Sequence, residues 1–305
     1  MDNKIRKSPP PQQPVDKDMF DRALRSRGNA YAPYSQYTVG AALRTTDGRI
    51  FSGGNVENAA WLGYESTETA LGAMIVDSGW VGAGAPPVIE SILYCVPGID
   101  DTCMHLPNGA SLSHLKVFGT PETALIFATP DGQMRQHWKL GELMPQSLQY
   151  RGELRDLPER QREIRDLENG MNEAPALKGL CLARLQAYAP FSHYAVGALV
   201  QSADGQVFYG CNYETEHNTG FHAEGMAIAR MIDALGPTAR IARIDILTKG
   251  EPGFPCGDCR QKIRELATRE TTVAGLSTEG RRWEGLLSEL LPHSFGAESL
   301  EKGQV

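Results

Sequence analysis

Two stretches of this chain alternate apolar and polar positions on either side of an Asp-Gly pair: TVGAALRTTDGRIFSGGN around Asp47-Gly48 and AVGALVQSADGQVFYGCN around Asp204-Gly205. A period of two puts alternate side chains on opposite faces, and Asp-Gly supplies a tight turn, so each stretch predicts a β-hairpin. The period lengthens to that of a helix in AEGMAIARMIDAL, where Ala223, Met226, Ala227, Ile228, Met231 and Leu235 share a face until Gly236-Pro237 ends the run. ARIDILTKG then predicts a buried strand, and GDCRQKIREL, directly after Cys256, a further helix.

The hairpins belong to a repeat. Tyr31-Ala-Pro-Tyr-Ser-Gln-Tyr-Thr-Val-Gly-Ala returns as Tyr188-Ala-Pro-Phe-Ser-His-Tyr-Ala-Val-Gly-Ala, and Asn55-Val56-Glu57 returns as Asn212-Tyr213-Glu214. Leu143-Met144-Pro145 likewise matches Leu290-Leu291-Pro292. A repeat this long is a duplicated domain rather than a solenoid. Each copy runs helix, hairpin, helix, strand, helix and further strands, which predicts an α/β fold with one α/β/α three-layer sandwich per copy. The expected boundaries are a disordered tail over 1–19, a first copy over 20–150, a charged and solvated helical linker over 151–172, and a second copy over 173–305.

Length and composition allow two ordinary domains: 305 residues, 41% hydrophobic and 22% charged. There is no run of eighteen apolar residues, and MDNKIRKSPPPQQPVDK lacks the apolar stretch of a secretory signal, so no membrane association is expected. Six cysteines in such a chain do not make a disulfide framework. Cys95, Cys103, Cys181 and Cys211 are expected as buried thiols in a cytoplasmic protein. A net charge of −7, with no basic cluster interleaved with aromatics, argues against a nucleic-acid partner.

The chemistry lies in the second copy. His222-Ala223-Glu224 is followed by Pro255-Cys256-Gly257-Asp258-Cys259. One imidazole and two thiolates neutralise Zn²⁺ and leave a fourth position open, which is the ligand count of a catalytic zinc site. Both cysteines fall on the first turn of a helix, whose N-terminus favours thiolates. Gly225 fits a two-thiolate site, since a third thiolate would call for a neighbouring cation. Glu224, two residues from the His ligand, reaches the open position rather than the metal and is the expected proton shuttle. A closed structural zinc would need a fourth ligand, for which Cys211 and His217 are the candidates nearest in sequence. In the first copy the corresponding residues are Ser66-Thr67-Glu68 and Pro107-Asn108-Gly109-Ala110-Ser111. All three ligands are gone there, so one zinc per chain is expected and Glu68 reads as a remnant. Cys103 and His105, with Cys95 or His114, offer a displaced metal set in principle.

With these motifs in hand, the chain resembles the zinc-dependent cytidine deaminases in their long, duplicated form, the H-x-E and P-C-x-x-C spacing being the signature of zinc nucleobase deaminases. The resemblance implies hydrolytic deamination of cytidine or 2′-deoxycytidine by zinc-activated water. It implies that Asn212 and Glu214 hold the ribose, that Tyr194 lies against the pyrimidine, and that backbone groups near Ala223 and Cys256 hold the base edge. It also implies a homodimer in which Phe295, in Leu290-Leu291-Pro292-His293-Ser294-Phe295, completes a pocket across an interface. The first copy has Leu148 at that position. Two departures stand out. The active copy comes second here rather than first, and the segment from Asn212 to His222 is one residue shorter than that from Asn55 to Ser66. The shortened stretch, with His217 and Phe221, lies over the substrate in the family. A modified or antibiotic cytosine nucleoside is therefore the leading alternative substrate, and single-stranded nucleic acid a further one.

Overall fold

The computed structural model describes residues 15–98, 106–145, 152–169, 174–216 and 220–301. The first copy comprises α1 (Lys17–Asn29), β1 (Gly40–Thr45), β2 (Ile50–Gly54), α2 (Ser66–Asp77), α3 (Trp80–Ala83), β3 (Ile89–Cys95), α4 (Gly109–Phe118), β4 (Ala124–Ala128), β5 (Met134–Lys139) and α5 (Leu140–Leu143). A connecting helix, α6 (Leu157–Asn169), leads to the second copy: α7 (Pro175–Leu185), β6 (Gly197–Ser202), β7 (Val207–Cys211), α8 (Ala223–Leu235), β8 (Ile241–Thr248), α9 (Gly257–Leu266), β9 (Ala267–Ser277), β10 (Arg282–Leu286), α10 (Leu287–Leu290) and α11 (Ala297–Glu301).

Both sheets have one topology. The orders are β2-β1-β3-β4-β5 and β7-β6-β8-β9-β10, each with a single parallel pair, β3 with β4 and β8 with β9. Even the irregularity repeats: the pairing shifts between Arg44 and Thr45 in one copy and between Gln201 and Ser202 in the other. Alternation along the strands produces the three layers. Ala42, Leu93 and Cys95 pack with Met19 and Ala23 of α1, whereas Ala41, Leu43, Ile92 and Tyr94 face the other way into the main core. In the second copy Leu199 and Leu247 pack with Leu180 of α7, while Ala198, Val200, Ile244 and Ile246 join that same main core.

The main core is continuous across the two copies because α2 and α8 lie against each other. Their contact needs glycine. A Cβ at Gly72 would come within 1.5 Å of Met226 Sδ. At the rim, the Arg230 guanidinium grips both carboxylate oxygens of Asp77 at 2.6 and 2.7 Å.

Two expectations about the termini of the copies need revision. The chain is helical from Lys17, with Asp16 capping the Met19 amide at 3.0 Å, so the segment read as a tail reaches a fixed helix before residue 19. The connecting helix α6, in the segment read as a solvated linker, is docked on one side. Arg160 is buried, donating to the Ala187 carbonyl at 2.5 Å and pairing with Asp156 at 2.8 Å. Of the cysteines, Cys95 and Cys211 are buried, Cys181 is only partly so, and Cys103 lies outside the described residues. Among the described residues no helix is long and apolar enough to cross a membrane.

Candidate metal centre and active site

The ends of two helices meet at the metal centre. His222 is the N-cap of α8 and Cys256 the N-cap of α9, both in extended backbone, so their side chains project forward from the first turns. Cys259 lies on the first turn of α9. His222 Nδ1 stands 3.2 Å from Cys259 Sγ and 3.5 Å from Cys256 Sγ. These donor atoms, with a carboxylate oxygen of Asp258, lie within 4.8 Å of one another. Asp258 is a fourth donor in this group, beyond the three expected from the motifs. Its carboxylate is engaged by Lys262 Nζ at 2.7 Å, one turn further along α9, so His222, Cys256 and Cys259 are the donors of the group that could hold a metal ion without breaking that pair. Cys211 does not join them and is a buried thiol with its pKa pushed up to about 12 by desolvation. His217 lies outside the described residues.

The thiols share one proton. A hydrogen bond from Cys259 holds Cys256 down to about 5, while the same bond and burial raise Cys259. A thiolate beside a thiol and an imidazole, at two helix N-termini, is a donor set suited to zinc. Glu224 is 5% exposed, and desolvation raises its pKa above the ordinary carboxylate value. A carboxyl group so placed exchanges protons more readily near neutrality than one in water.

A cavity of about 350 Å³ joins these groups: Tyr194, Asn212, Glu214, Ala223 and Glu224 line it with His222 and Cys256. Phe295 does not; it is 46% exposed, and its carbonyl accepts from Gln261 on α9. The Asn-x-Glu pair has a structural job of its own. Asn212 accepts from the Val196 amide at 2.8 Å and donates to the Tyr194 carbonyl at 2.9 Å. Glu214 accepts from the amides of Phe191 and Ser192, both at 3.0 Å. The pair thereby fixes the loop that carries Tyr194. Sequence reasoning missed Phe254, which is 62% exposed at the cavity wall and stacked on Trp283 at 4.2 Å. Its place just before Pro255-Cys256 was the available signal.

The larger cavity, about 950 Å³, is in the first copy, bordered by Tyr37, Asn55, Glu57 and Thr67. Size does not mark the reactive site. Asn55 and Glu57 make the same bonds to Val39, Tyr37, Tyr34 and Ser35, but no metal-type cluster occurs there among the described residues. Asn108 caps α4 where Cys256 caps α9, and Ser111 stands in the place of Cys259. Cys103, His105 and Leu148 lie outside the described residues.

Comparison with known proteins identifies the family. Residues 172–275 and residues 2–82 each match a model described as the cytidine and deoxycytidylate deaminase zinc-binding region. A cytidine deaminase of Sporosarcina psychrophila is 33% identical over 119 residues, covering 39% of this chain and 87% of the relative. A cytidine deaminase of Halalkalibacterium halodurans is 33% identical over 131 residues, covering 43% of this chain and 98% of the relative. A crystal structure of cytidine deaminase from Burkholderia pseudomallei is 29% identical, covering 43% of this chain and 97% of that one, with a TM-score of 0.35. The chain belongs to the zinc-dependent cytidine deaminase family, as a duplicated form.

Proposed function

We propose that the second copy hydrolyses cytidine or 2′-deoxycytidine to the uracil nucleoside and ammonia. The observation that carries this reading is the cluster of His222, Cys256 and Cys259, two of which, His222 and Cys256, line one cavity with the buried Glu224 and an Asn-x-Glu pair. His222, Cys256 and Cys259 would hold zinc, which as a Lewis acid makes water nucleophilic near neutral pH. Glu224 takes one proton from the attacking water and delivers it to N3 of the pyrimidine, where it stays, and then carries the water's second proton, from the hydroxyl formed at C4, to the departing amine. The water oxygen bonds to C4 as the C4–N4 bond breaks, so that one water is consumed for each ammonia released.

Other residues of the site orient the substrate. Ala223 and Cys256 open their helices at the cavity, where backbone groups would hold the base edge. Tyr194, 49% exposed beside the cavity, offers a ring to the pyrimidine, and Asn212 and Glu214 offer polar atoms to the sugar hydroxyls. The proposal extends to one zinc per chain, a homodimer in which Phe295 enters a neighbouring pocket, and a cytoplasmic role in pyrimidine salvage. A panel of nucleosides assayed for ammonia tests it: cytidine or 2′-deoxycytidine should be the best substrate, and a preference for a base-modified cytosine nucleoside would reassign it.

A further inference from the structure

The acid of the first copy is not idle in the structure. Glu68 is 6% exposed, and its Oε1 accepts from Ser111 Oγ at 2.7 Å. The same oxygen lies 3.3 Å from His114 Nδ1, and that nitrogen lies 3.1 Å from the hydroxyl of Tyr213 in the second copy. Oε2 has no partner among the described residues, an uncommon state for a buried carboxyl and one that asks for a reason. Ser111 and His114 are neighbours one turn apart on α4.

Tyr213 is the middle residue of Asn212-Tyr213-Glu214. Its backbone exchanges hydrogen bonds with Phe221, at 3.1 Å in one direction and 2.8 Å in the other, and Phe221 immediately precedes His222. The rings of Tyr213 and Phe221 are parallel, and the His114 ring meets Tyr213 edge-on with centroids 5.5 Å apart. Lys116, two residues beyond His114, is ion-paired with Glu216 at the far end of the same stretch. Helix α4 of the first copy therefore grips the second copy's Asn-x-Glu segment at two points.

We propose that Glu68 is a positioning residue for the second copy's site, acting through His114 on Tyr213 and so on Asn212 and Glu214. A carboxyl oxygen beside Nδ1 favours the tautomer with its proton on that nitrogen, and this N–H is shared between Glu68 Oε1 and Tyr213 Oη. The imidazole is then held in one orientation, and the phenol is tethered to the first copy. The inference rests on the reading of the second copy as a nucleoside deaminase, and it replaces the reading of Glu68 as a remnant.

A double-mutant cycle on the zinc-loaded full chain tests it, using Glu68→Gln, Tyr213→Phe and the pair, with cytidine kinetics, zinc content and histidine ¹⁵N spectra read together. Each single change should raise KM about three- to tenfold, the worth of one hydrogen bond, with zinc content unchanged. The pair should be no worse than either single, because both cut the same tether. The His114 ring signals should leave the Nδ1–H pattern in Glu68→Gln. Wild-type kinetics in a zinc-loaded Glu68→Gln, or effects that multiply in the pair, would overturn the inference. If Glu68→Gln does not fold, Glu68→Asp, whose shorter side chain draws the carboxyl away from His114, closes the same cycle with Tyr213→Phe under the same criteria. Absence of cytidine turnover in the unaltered chain would reject the functional reading instead, and the ¹⁵N pattern of His114 then decides the tether by itself.

Discussion

The hydroxyl of Tyr64, in the first copy, occupies the space that a side chain at Gly225 would need: a Cβ there would come within 1.9 Å of Tyr64 Oη. Gly225 follows Glu224 directly, so a residue of the first copy is packed against the first turn of the helix that begins at His222. Lys262, which restrains Asp258, also lies 4.4 Å above the Tyr64 ring. The two copies thus share one wall at the metal centre.

Gly225→Ala should lower stability by about 1–3 kcal/mol, the usual cost of overpacking a filled site. Denaturant midpoints measure this. The same substitution should cost less in a Tyr64→Leu background, where the ring that clashes is gone. Equal costs in both backgrounds would show that Tyr64 is not what Gly225 accommodates.

Glu224→Gln should retain zinc, because the carboxyl is not among the ligands, and should lower kcat by about 10²–10⁴-fold, as expected for loss of general acid–base catalysis. Elemental analysis and steady-state rates on one preparation check both halves. A variant that loses zinc along with activity would make Glu224 a structural support of the ligands.

Metal binding to the zinc-free chain at pH 7 should release about one proton from the cysteine pair rather than two. Cys256, held down to about 5 by the bond from Cys259, is already ionised at that pH. Cys259, raised by that bond and by burial, still carries its proton and must lose it to become a ligand. Calorimetry in buffers of different ionisation enthalpy counts the protons, and a value of two would contradict the shared-proton arrangement.

Asn212→Ala should both destabilise the second copy and impair substrate binding. Two bonds to the loop backbone are lost, each worth about 1 kcal/mol, so thermal stability should fall along with kcat/KM for cytidine. Turnover of free cytosine, which has no sugar to hold, should suffer only the share that comes from loosening Tyr194. Equal losses on nucleoside and free base would confine Asn212 to supporting the loop.

What the sequence made legible was local. Asp47-Gly48 and Asp204-Gly205 announce their hairpins through short-range turn chemistry, and His222 and Cys256 take up N-cap positions set by the residues that follow them. The repeat carried the topology of one copy over to the other. What stayed hidden depends on groups distant in sequence. Nothing local distinguishes Gly225 as the seat of Tyr64, nor Arg160 as a buried cation in an otherwise charged linker helix. Glu68 reads as a remnant when compared only with Glu224, because its neighbour His114 comes from another helix and the Tyr213 that His114 meets comes from the other copy. Asn212 and Glu214 were read for the ligand alone, since their bonds to the 191–196 loop require the fold to be known.

Titration of zinc into the metal-free chain, with uridine and ammonia followed from cytidine at each step, tests the central claim most directly. Activity should be absent at the start, rise in proportion to added metal and level off at about one zinc per chain, the capacity of a single three-ligand site. Turnover without zinc, or a rise that continues to two zinc ions per chain, would contradict the assignment of the reaction to His222, Glu224, Cys256 and Cys259 of the second copy.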